Sequence, residues 1–392
     1  MTEPMKLTND IINSWADDKN GPVALHLKQK LIPVEGEGAV IFPPTYADIG
    51  YNIDTLSDGT KVCTIDSVGS QANRMEPIFK EPTYSGLVPQ IQIELHKTGK
   101  GDEAHTEKRS IFELAHRSAD AVVHSSPILA LEIAKAFTAL KNKGNALPLC
   151  QIAPTSLVFG VWDSRGGSGE KRPRLVRSVV RAWDIDEMHS AAQFNSVWKA
   201  LNEEQQGELT KESKAKKTKL SEKGFADAPA TFRKVSKSAT EFMQEYKDGA
   251  PNPERRVLGG IVVRGEIFRD VTVNLVALRA IRADNEEATN GLRRYLLSLA
   301  LIAATADFDL FLREGCHLRF ADDERWRAVP RRGQPVSVDL ASDAAKELVL
   351  AYAMEAVKPI KGNWPKTLDY KFDLKEAKKL LAKKDEEEEA EA

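Results

Sequence analysis

Between residues 286 and 313 the apolar residues Leu292, Leu296, Leu299, Ala303, Ala306 and Leu310 step by four and three. That spacing draws one continuous stripe along a single long helix. A stripe of that length must be covered, and stretches of period two elsewhere in the chain can cover it. In residues 23–34, Val23, Leu25 and Leu27 face one way, while His26, Lys28 and Lys30 face the other, which is the pattern of a half-buried strand. Residues 86–95 alternate likewise, with Ile91, Ile93 and Leu95 on one face. Residues 61–65, 257–276 (two strands), 317–320 and 328–329 also read as strands.

Helix signals lie between them. Asp66 and Ser67 can cap a helix over residues 67–80, and residues 126–141 form a second, with Pro127 in its first turn and Gly144 beyond its end. Residues 110–117 read as a turn or two of helix, residues 341–356 as a further helix, and Gly315 as the stop of the long one. Residues 156–162, SLVFGVW, read as a short strand. In residues 172–183, Arg174, Arg177 and Arg181 would share a helical face, but the density of valines favours a strand. The order fits a β-α-β-β-α-β core, one sheet with two helices on one face. The expected class is therefore α+β, ferredoxin-like, in a single large domain spanning residues 1–392 with insertions. The polar residues 96–108 read as a loop. Residues 186–256, with KESKAKKTKLSEKG at 211–224, read as an insertion outside the core. The tail from about residue 375 ends in an acidic run and is expected to be solvated and frayed.

Several classes of function find no support. There is no run of about 18 apolar residues and no apolar core of signal-peptide type at the N-terminus, so no membrane partner and a cytoplasmic location are expected. Cys63, Cys150 and Cys316 form no CxxC pair, and the seven histidines form no HxxxH or HExxH pair, so no metal and no cofactor are expected. GGSGEK at 166–171 resembles a phosphate-binding loop but fails its test, because Arg172 and Pro173 follow Lys171 where a Ser or Thr and a helix are needed. His116 beside Arg117 could serve a metal-free ribonuclease as acid or base, although a lone histidine is more often a packing residue. Asp163, just before the basic segment, is expected to fix Arg165 rather than to cut.

Binding chemistry is better represented. Residues 164–181 hold six cations (Arg165, Lys171, Arg172, Arg174, Arg177 and Arg181) against one acid, Glu170, behind three glycines. In a chain of formal net charge −2 this is a local concentration, suited to a polyanion. Arg74, Arg109, Arg117, Arg264, Arg293 and Arg294 add cations at loops and element ends, where a phosphate backbone can be tracked. Phe42, Tyr46, Phe79, Phe112, Trp162 and Trp183 lie near these positions and include both stacking candidates and core residues.

The segments SVGSQANRME (67–76), RSIFELAHR (109–117), LVFGVWDSRGG (157–167) with KRPRLVRS (171–178), and the late VVRGEI and RRYLLSLALIAATADFDLFLREGCHLR together resemble one family. It is the CRISPR Cascade backbone subunit of the RAMP superfamily, the "Cas seven" group, in its type I-G branch, and the likeness runs over residues 23–320. The more specific motifs are Ser70–Gln71–Ala72–Asn73–Arg74 with Glu76, and the turn at residues 162–165 followed by residues 174–178. The resemblance implies an RRM-like palm, with fingers at about residues 36–108 and a thumb at about residues 186–256. It implies no catalysis: the subunit polymerises head to tail along a guide RNA (crRNA) and presents it for pairing with target DNA. The thumb of one copy folds over RNA held by the next. Other Cascade partners would be the large subunit and the subunit capping the guide ends. The RNA contacts implied are Asn73, Arg74, Arg109, Arg117, Ser164, Arg165, Lys171, Arg172, Arg174, Arg177 and Ser178. The aromatic motif with which RRM proteins stack RNA on their sheet is not found. Type III relatives cut target RNA with a thumb aspartate, a role not carried over to Asp163. Two alternatives stand beside this reading. One is a metal-independent RAMP-type endoribonuclease that processes precursor guide RNA through His116. The other is a protein–protein scaffold without nucleic acid.

Overall fold

The computed structural model describes residues 3–47, 49–98, 105–164, 168–188, 197–220, 223–225, 258–321 and 325–390. The elements used below, in chain order, are α1 (Asn9–Asp17), β1 (Ala24–Pro33), β2 (Asn52–Thr55), β3 (Lys61–Asp66), α2 (Val68–Met75), β4 (Gln92–Thr98), β5 (His105–Ser110) and α3 (Pro127–Lys143). They continue with β6 (Val176–Trp183), β7 (Ile267–Asn274), α4 (Glu286–Thr305), β8 (Leu310–Arg313), β9 (Cys316–Phe320), β10 (Trp326–Val329) and α5 (Asp343–Ala356).

The main sheet is antiparallel throughout, in the order β8-β9-β1-β7-β6-β3-β2. β10 pairs with the first half of β1, beside the stretch that β9 takes. At its centre, β9 or β10, then β1, β7 and β6, reproduce the strand order of a β-α-β-β-α-β unit. The fold is thus α+β, as the element order predicts. Each central strand alternates: Leu25, Leu27 and Leu31 on β1, Val271 and Val273 on β7, and Val176, Val180 and Ala182 on β6 are all buried. α2 packs against β6, and α4 against β6 and β7, on that buried face. α4 is itself enclosed, since α1 and α5 pack on it and Leu296, Leu297, Leu299, Ala300 and Leu301 are all inaccessible. Toward Leu31, Ala182 and Ile267 the same face is closed by a second cluster that includes Ile41, Tyr51, Ile185 and Ile261.

Six local expectations are corrected. The long helix ends at Thr305, where Ala306 turns extended, and Leu310 belongs to β8. Leu310 and Leu312 alternate as buried strand residues, and a stripe of fours and threes cannot distinguish that from one more helical turn. Gly315 therefore ends no helix: it turns the β8–β9 hairpin at φ +77° against Phe42. Residues 156–162 are mostly helical, because Pro154 opens a helix over Pro154–Val158 and only Val161–Trp162 is strand. Residues 96–108 are no simple loop, since β4 and β5 form a hairpin there, and the strand expected from residue 86 starts only at Gln92. Residues 110–117 make 3-10 turns, the first closed by a capping box of Ser110 and Glu113. Apart from these six, the tail is helical over Leu374–Ala390, as its Lys, Glu, Ala and Leu content favours, which does not bear on its expected solvation. Of the 186–256 insertion, the helix Glu203–Ala215 is described and buries none of its residues, while residues 189–196 and 226–256 lie outside the described residues.

Candidate nucleic-acid interface

The RNA contacts expected from the sequence fall into three groups. Arg117, Arg174 and Arg177 come together with Asn73. Arg117 follows the first 3-10 turn at a positive φ of +53°. A left-handed residue other than glycine needs its surroundings to hold it, and here they do. Its Nε lies 2.6 Å from Glu76 Oε2, its guanidinium donates to Asn73 Oδ1 at 3.3 Å, and it stands 5.2 Å from the centre of the Phe159 ring. Glu76 is at the end of α2, so the QANRME segment and the AHR segment are joined by a buried ion pair. Burial pushes the Glu76 carboxyl up to about 7, although Arg117 beside it pulls the other way.

Arg174 and Arg177 approach Arg117 from the start of β6. Both are exposed. The Arg174 pKa is lowered, first by burial and then by the like charges of Arg117 and Arg177, which places the three guanidinia within electrostatic reach of one another. Arginine stays protonated in proteins, so this is standing repulsion among cations. Arg174 and Arg177 have no carboxylate partner among the described residues. Gly160, at φ +81°, makes room for Arg174: a Cβ there would lie 2.8 Å from Arg174 Cγ.

A second group borders this cluster. Lys171 is exposed and sits 5.5 Å from the centre of the Trp162 ring, which is itself 59% exposed. Arg172 donates to Glu170 at 2.9 Å. Ser164 is exposed, and Arg165 lies outside the described residues. Asp163 is buried, with His124 Nε2 3.2 Å from Oδ1 and the Ser168 hydroxyl on Oδ2, so it anchors the base of this loop.

The third group is engaged elsewhere. Arg74 donates through Nε to Asp66 at 3.0 Å and through Nη2 to the Leu312 carbonyl at 3.2 Å. Arg109, on β5, is paired with Glu107 at 2.7 Å. Ser178 is wholly buried, donates to Gln71 Oε1 at 2.7 Å and accepts from Arg269 Nε at 3.3 Å. Phe79 and Phe112 are core. His116 is exposed, with its Nδ1 3.3 Å from Asp120 Oδ2. Among the described residues no three His, Cys, Asp or Glu side chains are grouped to hold a metal, and no helix is long and apolar enough to cross a membrane.

Sequence reasoning missed the opposite face of the sheet, which carries Lys28, Phe268, Arg181 and Arg327 on β1, β7, β6 and β10 in neighbouring cross-strand rows. The alternation of β1 already pointed Lys28 and Lys30 away from the core. No comparable sign placed Phe268 beside them, 240 residues along the chain.

Residues 25–187 match the model of a family described as CRISPR-associated protein GSU0053 (Cas_GSU0053). The matched stretch is less than half of the chain, yet it spans every position from Asn73 to Ser178 discussed above. It is therefore a CRISPR-associated family that this part of the chain is similar to. No curated protein matches the chain.

Proposed function

We propose that the chain is a non-catalytic, guide-RNA-binding backbone subunit of a type I CRISPR effector complex, of the Cascade kind and the type I-G branch. The observation that carries this reading is the group Arg117, Arg174 and Arg177, in which the Arg174 guanidinium lies within reach of the like charges of the other two. Two of them are exposed and lack a carboxylate partner among the described residues. Unmatched like charges cost free energy in the free protein, and a phosphodiester backbone relieves it. Such contacts are blind to base sequence, which suits a subunit that must accept any spacer. The match over residues 25–187 supports the CRISPR setting. The fingers (about 36–108) and thumb (about 186–256) would join copies head to tail along the guide, which then pairs with target DNA. The large subunit and the subunit capping the guide ends would complete the assembly. The ion pairs Arg117–Glu76 and Arg74–Asp66 act as the frame that aims the grip.

Co-expression with a repeat–spacer array, followed by size-exclusion chromatography with absorbance at two wavelengths, tests this directly. A large species rich in RNA, carrying intact guide, is expected. A monomer free of nucleic acid would overturn the reading in favour of a protein-only scaffold. Metal-independent cleavage of the repeat that is lost in His116→Ala would favour the endoribonuclease.

A further inference from the structure

The sheet face turned away from α2 and α4 carries a second set of cations, with the Phe268 ring among them. In one cross-strand row stand Lys30, Phe268 and Arg181. In another stand Arg327, His26, Thr272 and Arg177. Between the rows, Lys28 places its Nζ 3.9 Å from the centre of the half-buried Phe268 ring. Two acids of this face are already matched: Asp270 lies 3.7 Å from His26, and Glu266 lies 3.3 Å from Lys30. Asp54 stands at the far edge, on β2. Lys28, Arg177, Arg181 and Arg327 have no carboxylate partner among the described residues.

Arg177 belongs to this face and also to the cluster with Arg174 and Arg117. The link has a structural basis. β3 pairs with β6 only from Val180 onward, and it slips register at its end, so residues 176–179 have no strand beside them on that side. A chain of phosphates held by Arg174 and Arg177 can run from this end of β6 toward Arg181 and Phe268 on the same face.

We propose that Phe268 is a base-stacking position for the same single strand whose phosphates Arg174 and Arg177 hold. An aromatic ring in the middle of a sheet, with cations on both flanking strands, offers a base its face and the adjoining phosphates their counter-charges. The Lys28 ammonium occupies the ring face in the free protein through a cation–π contact, which is weak enough at a solvent-facing site for a base to displace. Lys28 then turns to a phosphate. This inference rests on the RNA-binding reading above and goes further, by giving the guide a contact to a base where that reading supplies only contacts to phosphates.

The test measures binding of two labelled strands of equal length: an oligouridylate and an abasic ribose–phosphate strand. Phe268→Leu keeps an apolar side chain but removes the ring, and Phe268→Trp keeps an aromatic face. Phe268→Leu is expected to weaken the oligouridylate by about five- to a hundredfold, the worth of one stacked base. It should leave the abasic strand unchanged, with Phe268→Trp close to the native protein. The double variant Arg174→Ala/Arg177→Ala should weaken both strands alike. A Phe268→Leu protein that binds the oligouridylate normally, or that loses both strands equally, overturns the stacking position while leaving the arginine grip standing. A native protein that binds neither strand overturns the RNA-binding reading itself.

Discussion

Arg117 and Glu76 form the hinge of the site. The arginine holds a left-handed backbone and is buried against a carboxyl that sits at the end of another element. Removing either partner would leave the other as an uncompensated buried group. Because burial raises the Glu76 pKa from 4.5 to about 7, the folded chain binds a proton there more tightly than the unfolded chain does. The stability this contributes is fully present below about pH 4.5 and is lost as pH rises through about 7. Glu76→Gln removes that titration. Its thermal midpoint is expected to vary less than that of the native protein between those two pH values, as calorimetry across the range would show. Equal pH dependence in both proteins would contradict the raised pKa. Neither residue advertises this role: Glu76 lies in a polar helical run, and 41 positions separate it from Arg117. Ser178 was similarly opaque. Its neighbour Arg177 is exposed, and only the strand alternation of β6 turns the hydroxyl inward to Gln71.

At the level of elements, the grip depends on how β6 is entered. Gly160, at φ +81°, lets the Arg172–Arg174 backbone and the Arg174 stem pass at close range. Gly160→Ala should cost about 1–3 kcal/mol of stability for the backbone strain. It should also push Arg174 aside and weaken RNA binding with no charge removed. Gly59→Ala is the matched control, because Gly59 also has a positive φ, +88°, but nothing within 4 Å of a Cβ. It is expected to share the strain and leave RNA affinity unchanged, as melting and binding curves of the two variants would show. Much of this level was legible in the sequence. The two-residue alternation of β1 and the Pro127-to-Gly144 frame of α3 appear where expected, with Gly144 left-handed at the helix end. What was hidden depends on partners distant in the chain. β5 becomes a strand only because β4 pairs with it, and Leu310 leaves the helical stripe only because β9 pairs with β8. The Pro154 helix is a local exception, a proline start overlooked beside the valines that follow.

At the scale of the whole molecule, a near-neutral chain carries cations without a carboxylate partner among the described residues on two connected surfaces. One lies around Arg117, Arg174 and Arg177, and the other lies on the open sheet face. Arg74, Arg109 and Arg172 near them are instead paired with acids of the chain. That division separates a grip from its frame, and it makes the affinity for RNA a matter of few charges. The most direct measurement is therefore the salt dependence of RNA binding by the native protein and by Arg174→Ala/Arg177→Ala, repeated with unrelated sequences. With each arginine holding one phosphate, the slope of log K against log salt is expected to shrink by about 1.4, roughly 0.7 per contact on a single strand. The loss should be the same for every sequence. An unchanged slope in a folded double variant would contradict the phosphate grip on which the proposed function rests.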